Sequence, residues 1–142
     1  MNVVVDTCVW SLALRRSNSQ LSRQEQLLRA ELAELISEGR VQIIGPIRQE
    51  LLSGIREEVY YRRVRDYLRA FDDEALTIED FEQAASATNK CRAAGVTGSP
   101  FDFLICAAAI RHHWSVFTTD QDFTAYARHL SLRLHTPRPA KL

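Results

Sequence analysis

Three short apolar runs, Val3-Val4-Val5, Val41 to Ile44 and Val116-Phe117-Thr118, each give way to a helix-forming segment, and this alternation restricts the fold more than any other feature. The first run is entirely β-branched and shows no polar alternation, the pattern of a strand buried on both faces of a parallel sheet, and it breaks off at Asp6. A fourth run, Leu132 to Leu134, precedes a proline-rich end. Parallel neighbours need long crossover connections. The order strand, helix, strand, helix therefore predicts an α/β fold: an open parallel sheet of four to five strands, right-handed crossovers and helices on both faces.

The helices carry their own punctuation. Ser22 and Glu25 have capping-box spacing, and Leu27, Leu28, Leu32, Leu35 and Ile36 then recur at helical intervals up to a stop at Gly39. Gly45-Pro46 opens a helix whose buried stripe is Ile47, Leu51 and Ile55. Val59 to Phe71 puts Tyr60, Val64, Tyr67, Leu68 and Phe71 on one side and Arg62, Arg65 and Arg69 on another, the latter a solvated face. Asp80 to Ala94 is a helix stopped by Gly95. The segment entered at Pro100 is apolar almost all round from Phe101 to Ile110, which makes it central, and Phe123 to Arg128 is a short last helix.

At 142 residues, with 46% apolar and 25% charged, the chain reads as one domain over residues 1–142. Folding at this size buries roughly 68–70% of the unfolded surface, enough for a core without staples, so a metal would serve chemistry rather than stability. The longest apolar run, Phe103 to Ile110, falls far short of the ~20 residues that cross a bilayer. Asp6 interrupts what would be a signal's apolar stretch. Cys8, Cys91 and Cys106 are odd in number and lack CxxC spacing, as expected of small hydrophobes in a reducing compartment. These features predict a soluble cytoplasmic protein. Eighteen basic residues balance eighteen acidic ones, which excludes coating of nucleic acid by bulk charge.

Ligands of open parallel sheets bind beyond the carboxyl ends of the strands, so polar residues leaving those ends are the candidates for chemistry. Asp6 follows the first strand directly, and Asp120 and Asp122 follow the third. Taken singly, each reads more readily as a helix cap than as a catalytic acid. Glu50 lies three residues on from Ile47, about 60° from the centre of its helix face, at the margin of the buried stripe and near a strand end. Asp102 sits in the first turn of the most apolar helix, on the face of Cys106 and Ala109; alone it reads equally as a capping partner of Ser99. Together Asp6, Glu50, Asp102 and Asp120 would bring four negative charges to one sheet edge. Two charges 4 Å apart repel by roughly 4 kcal/mol at an effective dielectric of 20. Such a cluster is relieved by raised carboxyl pKa values or by a hard divalent cation, and all-oxygen donors suit Mg²⁺ or Mn²⁺ rather than Zn²⁺. Cations so held activate water and bridge phosphodiesters, which points to phosphodiester hydrolysis.

The segments Val3-Val4-Val5-Asp6-Thr7, Gln49-Glu50-Leu51-Leu52-Ser53-Gly54, Phe101-Asp102-Phe103-Leu104-Ile105-Cys106-Ala107-Ala108-Ala109-Ile110 and Phe117-Thr118-Thr119-Asp120-Gln121-Asp122-Phe123 resemble, in order and context, the four acidic motifs of PIN-domain ribonucleases. More narrowly they resemble the VapC toxins of VapBC toxin–antitoxin pairs, and the likeness runs from residue 2 to about residue 135. It implies that Asp6, Glu50, Asp102 and Asp120 are catalytic and metal-binding acids, Asp122 an auxiliary metal-site acid acting through water, and Thr7 and Thr118 polar supports. It further implies a homodimeric, Mg²⁺-dependent endoribonuclease acting on structured RNA such as tRNA or rRNA, blocked by a VapB-like antitoxin. Cys8 stands where many relatives carry Ser or Asn, which alters any hydrogen bond from that position but not the acid cluster.

Competing chemistries fail on residues. A dehalogenase-type phosphotransferase needs a second Asp two positions after Asp6, where Cys8 stands; a receiver domain needs a Lys late in the sheet, and neither Lys90 nor Lys141 follows a strand. A thiol nucleophile at Cys8 lacks a placed His, and His112, His113, His129 and His135 show no ligand spacing. The remaining alternative is a catalytically silent PIN-like module that binds RNA or protein. For phosphate attraction, Arg15, Arg16, Arg48 and Arg92 are the candidates at the cleft rim, while Trp10 and Trp114 read as core.

Overall fold

A computed structural model describes residues 1–15 and 18–139. Its order is β1 (Val3–Val5), α1 (Thr7–Leu14), a 3-10 turn at Asn18–Gln20, α2 (Arg23–Ser37), β2 (Val41–Gln42), α3 (Gly45–Leu52), α4 (Glu58–Leu68), α5 (Ile78–Ala93), α6 (Pro100–His112), β3 (Ser115–Phe117), α7 (Asp122–Ala127) and β4 (Arg133–Leu134). The four strands pair in parallel in the order β2-β1-β3-β4. Val4 stands opposite Gln42 on one side and Val116 on the other. Both sheet faces are covered: Val3, Val4 and Val5 point alternately up and down, yet all are fully buried. A fifth strand reduces to one parallel bridge between Ile43 and Asp73 at the β2 edge.

The chain leaves β1 toward one edge, to β2, and returns to its other side as β3. The crevice beyond the carboxyl ends of β1 and β3 is thus the switch point where ligands of such sheets bind.

Several boundaries differ from expectation for local reasons. α1 was not delineated by periodicity, because Thr7–Leu14 is apolar on most sides, with Val9, Trp10 and Leu12 all buried. Ile55 lies outside α3: the helix stops at Leu52, Gly54 turns the chain at φ +87°, and Ile55 packs on the core from the loop. Glu57 is the N-cap of α4, accepting from the Val59 and Tyr60 N–H groups at 3.1 Å, and Phe71 falls beyond that helix. α5 starts earlier than Asp80, at Ile78, because Thr77 and Asp80 complete a capping box. The predicted Ser22–Glu25 box is present with both of its hydrogen bonds.

The C-terminal segment is clipped to α2. Arg138 donates to Glu31 at 2.7 Å and to Glu38 at 2.8 Å, and His135 Nε2 lies 3.1 Å from Glu31. Burial of Glu31 would raise its pKa, but the Arg138 guanidinium and N–H outweigh that and hold it below the usual glutamate range. The same guanidinium holds Glu38 down at about 2. Acids with depressed folded pKa values stabilise the fold above their ordinary value of 4.5 and lose that contribution as pH falls through the folded value. The thermal midpoint is therefore expected to fall from pH 4.5 toward pH 2, more shallowly in Arg138→Ala, as calorimetry across that window will show.

Candidate active site

The site begins where β1 ends. Asp6 is only 8% exposed; its Oδ1 accepts from the Thr7 N–H at 2.8 Å, so it does cap α1, and its Oδ2 accepts from Thr118 Oγ1 at 2.8 Å. The Asp6 N–H continues the ladder onto the Phe117 carbonyl, fixing the β1 and β3 exits side by side. Thr118 Oγ1 also accepts from the Asp120 N–H at 3.0 Å, so one hydroxyl ties Asp6 to the turn that carries Asp120. The Cys8 thiol joins this group, 3.6 Å from Asp6 Oδ2 and 3.5 Å from Thr118 Oγ1, where it takes the hydrogen-bonding place a hydroxyl would fill.

The other acids converge from α3, α6 and the β3–α7 turn. Asp120 Oδ1 accepts from the Asp122 N–H at 2.9 Å, which folds the two carboxylates into one tight turn. Asp102 has its N–H on Ser99 Oγ at 3.1 Å, but its own Oδ2 accepts from the Tyr126 hydroxyl at 2.8 Å. One oxygen each from Asp102, Asp120 and Asp122 lies within 4.8 Å of the others. Glu50 is tied in through Thr7, whose Oγ1 donates to its Oε2 at 3.1 Å, and Glu50 and Asp102 share the wall of a hollow of about 460 Å³ with Gln49, Ser53 and Phe101. The structure thus gathers Asp102, Asp120 and Asp122 most closely, with Asp6 joined through Thr118 and Glu50 through Thr7.

The electrostatics show what this gathering costs. Asp102 lies above the usual aspartate range, first because it is partly buried, then because Asp120 and Asp6 repel its charge; the Tyr126 and Ser99 hydroxyls only partly offset this. Burial and Asp102 together push the Tyr126 phenol above its ordinary value, which keeps it a proton donor. The carboxylates offer hard oxygen donors, and among the described residues none of the five forms an ion pair, the condition under which Mg²⁺ or Mn²⁺ binds.

Two of the four arginines expected at the rim are engaged elsewhere. Arg15 donates to the Leu51 and Ser53 carbonyls at 2.7 and 3.0 Å, and Arg48 donates to the Leu68 and Phe71 carbonyls and to Asp73. Carbonyls at helix ends lack intrahelical partners, so both guanidinium groups serve as helix clips rather than phosphate receptors. Arg92 is exposed beside Asn89, and Arg16 lies outside the described residues. Arg65 and Arg69 pair with exposed Asp66 on a solvated face, and Trp10 and Trp114 are core residues. The sequence reading missed Tyr126, whose signal was that a buried tyrosine needs a partner for its hydroxyl.

Carboxylates from four segments far apart in the chain, meeting at the switch point of a parallel sheet, define an α/β domain with an acidic, oxygen-donor site. The chain belongs to the PIN domain family, which it matches over residues 3–129, and whose members are typically metal-dependent nucleases. Its structure is similar to that of FitAcB from Neisseria gonorrhoeae, with TM-score 0.74 at 20% identity over 95% of this chain and 97% of that one. It is similar also to VapBC2 from Rickettsia felis, solved bound to a DNA fragment from its promoter, with TM-score 0.73 at 16% identity over 95% and 98%. A third likeness is to VapBC-1 from nontypeable Haemophilus influenzae, with TM-score 0.69 at 14% identity over 95% and 97%. Among curated proteins no sequence matches the chain significantly. No helix among the described residues is long and apolar enough to cross a membrane.

Proposed function

We propose that this protein is a divalent-cation-dependent endoribonuclease of the VapC type, working in the cytoplasm as a homodimer and held inactive by a VapB-like antitoxin. The observation that carries the reading is the approach of Asp102, Asp120 and Asp122 within 4.8 Å, with Asp6 and Glu50 flanking them, on a PIN fold. Asp6, Glu50, Asp102 and Asp120 are the acids assigned to catalysis, all four with Asp122 to holding Mg²⁺ or Mn²⁺, and Thr7 and Thr118 to support. When bound, the cation supplies Lewis acidity toward a phosphodiester and lowers the pKa of water.

The residues of this chain do the positioning. Thr118 orients Asp6 and anchors the Asp120 turn; Thr7 orients Glu50; the Asp122 N–H fixes Asp120. Ser99 caps α6 so that Asp102 enters the cluster from its first turn. RNA of the tRNA or rRNA class is the substrate assigned. The likeness to VapBC and FitAB assemblies supports an antitoxin partner.

The test is incubation of the purified chain with total RNA in Mn²⁺ or Mg²⁺, followed by sequencing of the 5′ ends produced. Discrete ends that vanish with EDTA are expected. If RNA stays intact while the chain still binds a partner, the silent-module reading replaces this one.

A further inference from the structure

Tyr126 stands outside the acid motifs, yet it is a buried group whose hydroxyl reaches an acid of the cluster, Asp102. Its ring is fully buried between Phe103, at 4.8 Å between centroids, and Phe123, at 5.2 Å. With the ring so held the phenol has one place to go, and it donates to Asp102 Oδ2 at 2.8 Å. Room for this pose comes from Gly98, the residue before the Ser99 cap. A Cβ at Gly98 would overlap the Tyr126 hydroxyl and meet ring carbons Cζ and Cε1 at 2.7 and 2.9 Å. This glycine is therefore needed for space: its φ is not in the left-handed range that Gly39, Gly54 and Gly95 occupy.

We infer that Tyr126 is a positioning residue for the cation site, holding the Asp102 carboxylate in the rotamer that meets Asp120 and Asp122, and that Gly98 is the space that admits it. A carboxylate in the first turn of a helix has several staggered rotamers open to it. Tyr126 occupies one lone pair of Oδ2 and leaves the remaining lone pairs of Asp102 directed at the cluster. Groups that orient a ligand in this way change metal affinity or activity by roughly 10- to 100-fold when removed.

The inference rests on the proposed cation-dependent reading, and one experiment separates the two. Mn²⁺ binding is measured by calorimetry on the intact chain without RNA, for wild type, Tyr126→Phe, Gly98→Ala and the double variant. Tyr126→Phe keeps the buried ring, so it is expected to stay folded while its Mn²⁺ dissociation constant rises about tenfold. Gly98→Ala should weaken binding similarly in wild type and add less than twofold in the Tyr126→Phe background, because the bond it displaces is already gone. Wild-type binding with a Tyr126→Phe constant within twofold of it overturns the positioning role alone. Absence of saturable Mn²⁺ binding in the wild type overturns the functional reading beneath it.

Discussion

Asp102→Asn is expected to lower RNA cleavage at least about 10³-fold while raising the thermal midpoint of the cation-free protein. The two effects share one cause. Asp102 is the acid whose charge the fold tolerates least, because burial and the nearby Asp120 and Asp6 raise its pKa. An acid with a raised folded pKa costs stability fully above that pKa and costs nothing below its ordinary value of 3.8. Asparagine removes the charge but keeps an oxygen to accept from Tyr126, so the hydrogen bond survives. In EDTA at pH 7 the variant should melt higher, by roughly 2–5 °C per kcal/mol relieved at this size, and the difference should vanish near pH 3.5. Added Mn²⁺ should raise the wild-type midpoint by mass action and leave the variant unmoved. A rate loss of this size corresponds to about 4 kcal/mol of lost transition-state stabilisation, reasonable for one ligand of a catalytic cation. Paired calorimetry and cleavage assays decide it; near-wild-type cleavage by the variant would remove Asp102 from the mechanism.

What was legible in the sequence follows from which signals are local. Val3-Val4-Val5 reads as a doubly buried strand because both neighbours of β1 are parallel and both faces are covered. Ser22 with Glu25, and Gly45-Pro46, announce their helices because caps and first-turn prolines act within a few residues. α1 had no such signal: it is apolar on most sides, with Thr7 and Ser11 its only hydroxyls, so no period of 3.6 stands out. The acids were visible as residues leaving strands, in a first turn and at a helix margin, and their gathering at one sheet edge was expected; their arrangement within it was not. A two-residue spacing does not tell that the Asp122 N–H folds back on Asp120, bringing Asp122 into the closest trio while Glu50 is connected through Thr7. Tyr126, Arg15 and Arg48 were misjudged or missed for one reason: a long side chain's partner is set by tertiary packing, which position along the chain does not encode.

The packing that delivers Asp102 also depends on a charge pair at the far end of its helix. Arg111 in the last turn of α6 donates to Asp80 at 2.6 Å and to Glu79 at 2.6 Å, clipping α6 to the first turn of α5. Asp80 is fully buried; burial would raise its pKa, but the Thr77 N–H and the Arg111 guanidinium overcome this and hold it below the usual aspartate range. Arg111→Met leaves that carboxylate buried with no cation against it, and an uncompensated buried charge is among the costliest single defects, so the midpoint is expected to fall by roughly 10 °C at pH 7. The sign with pH follows from the reversal at Asp80. In the wild type its depressed pKa stabilises the fold above pH 3.8, whereas burial alone in the variant raises the pKa and turns the same charge into a penalty. The gap between the two proteins should therefore widen from pH 4 to pH 7. Asp80→Asn in the Arg111→Met background removes the charge, keeps the amide oxygen on Thr77, and should restore more than half of the loss. Because Arg111 lies nine residues from Asp102, about 13 Å along the helix, residual folded variant should bind Mn²⁺ nearly as wild type does. A gap in midpoint that stays flat with pH, or a double variant no more stable than Arg111→Met, would show that packing of the Arg111 side chain rather than its charge holds α5 and α6 together.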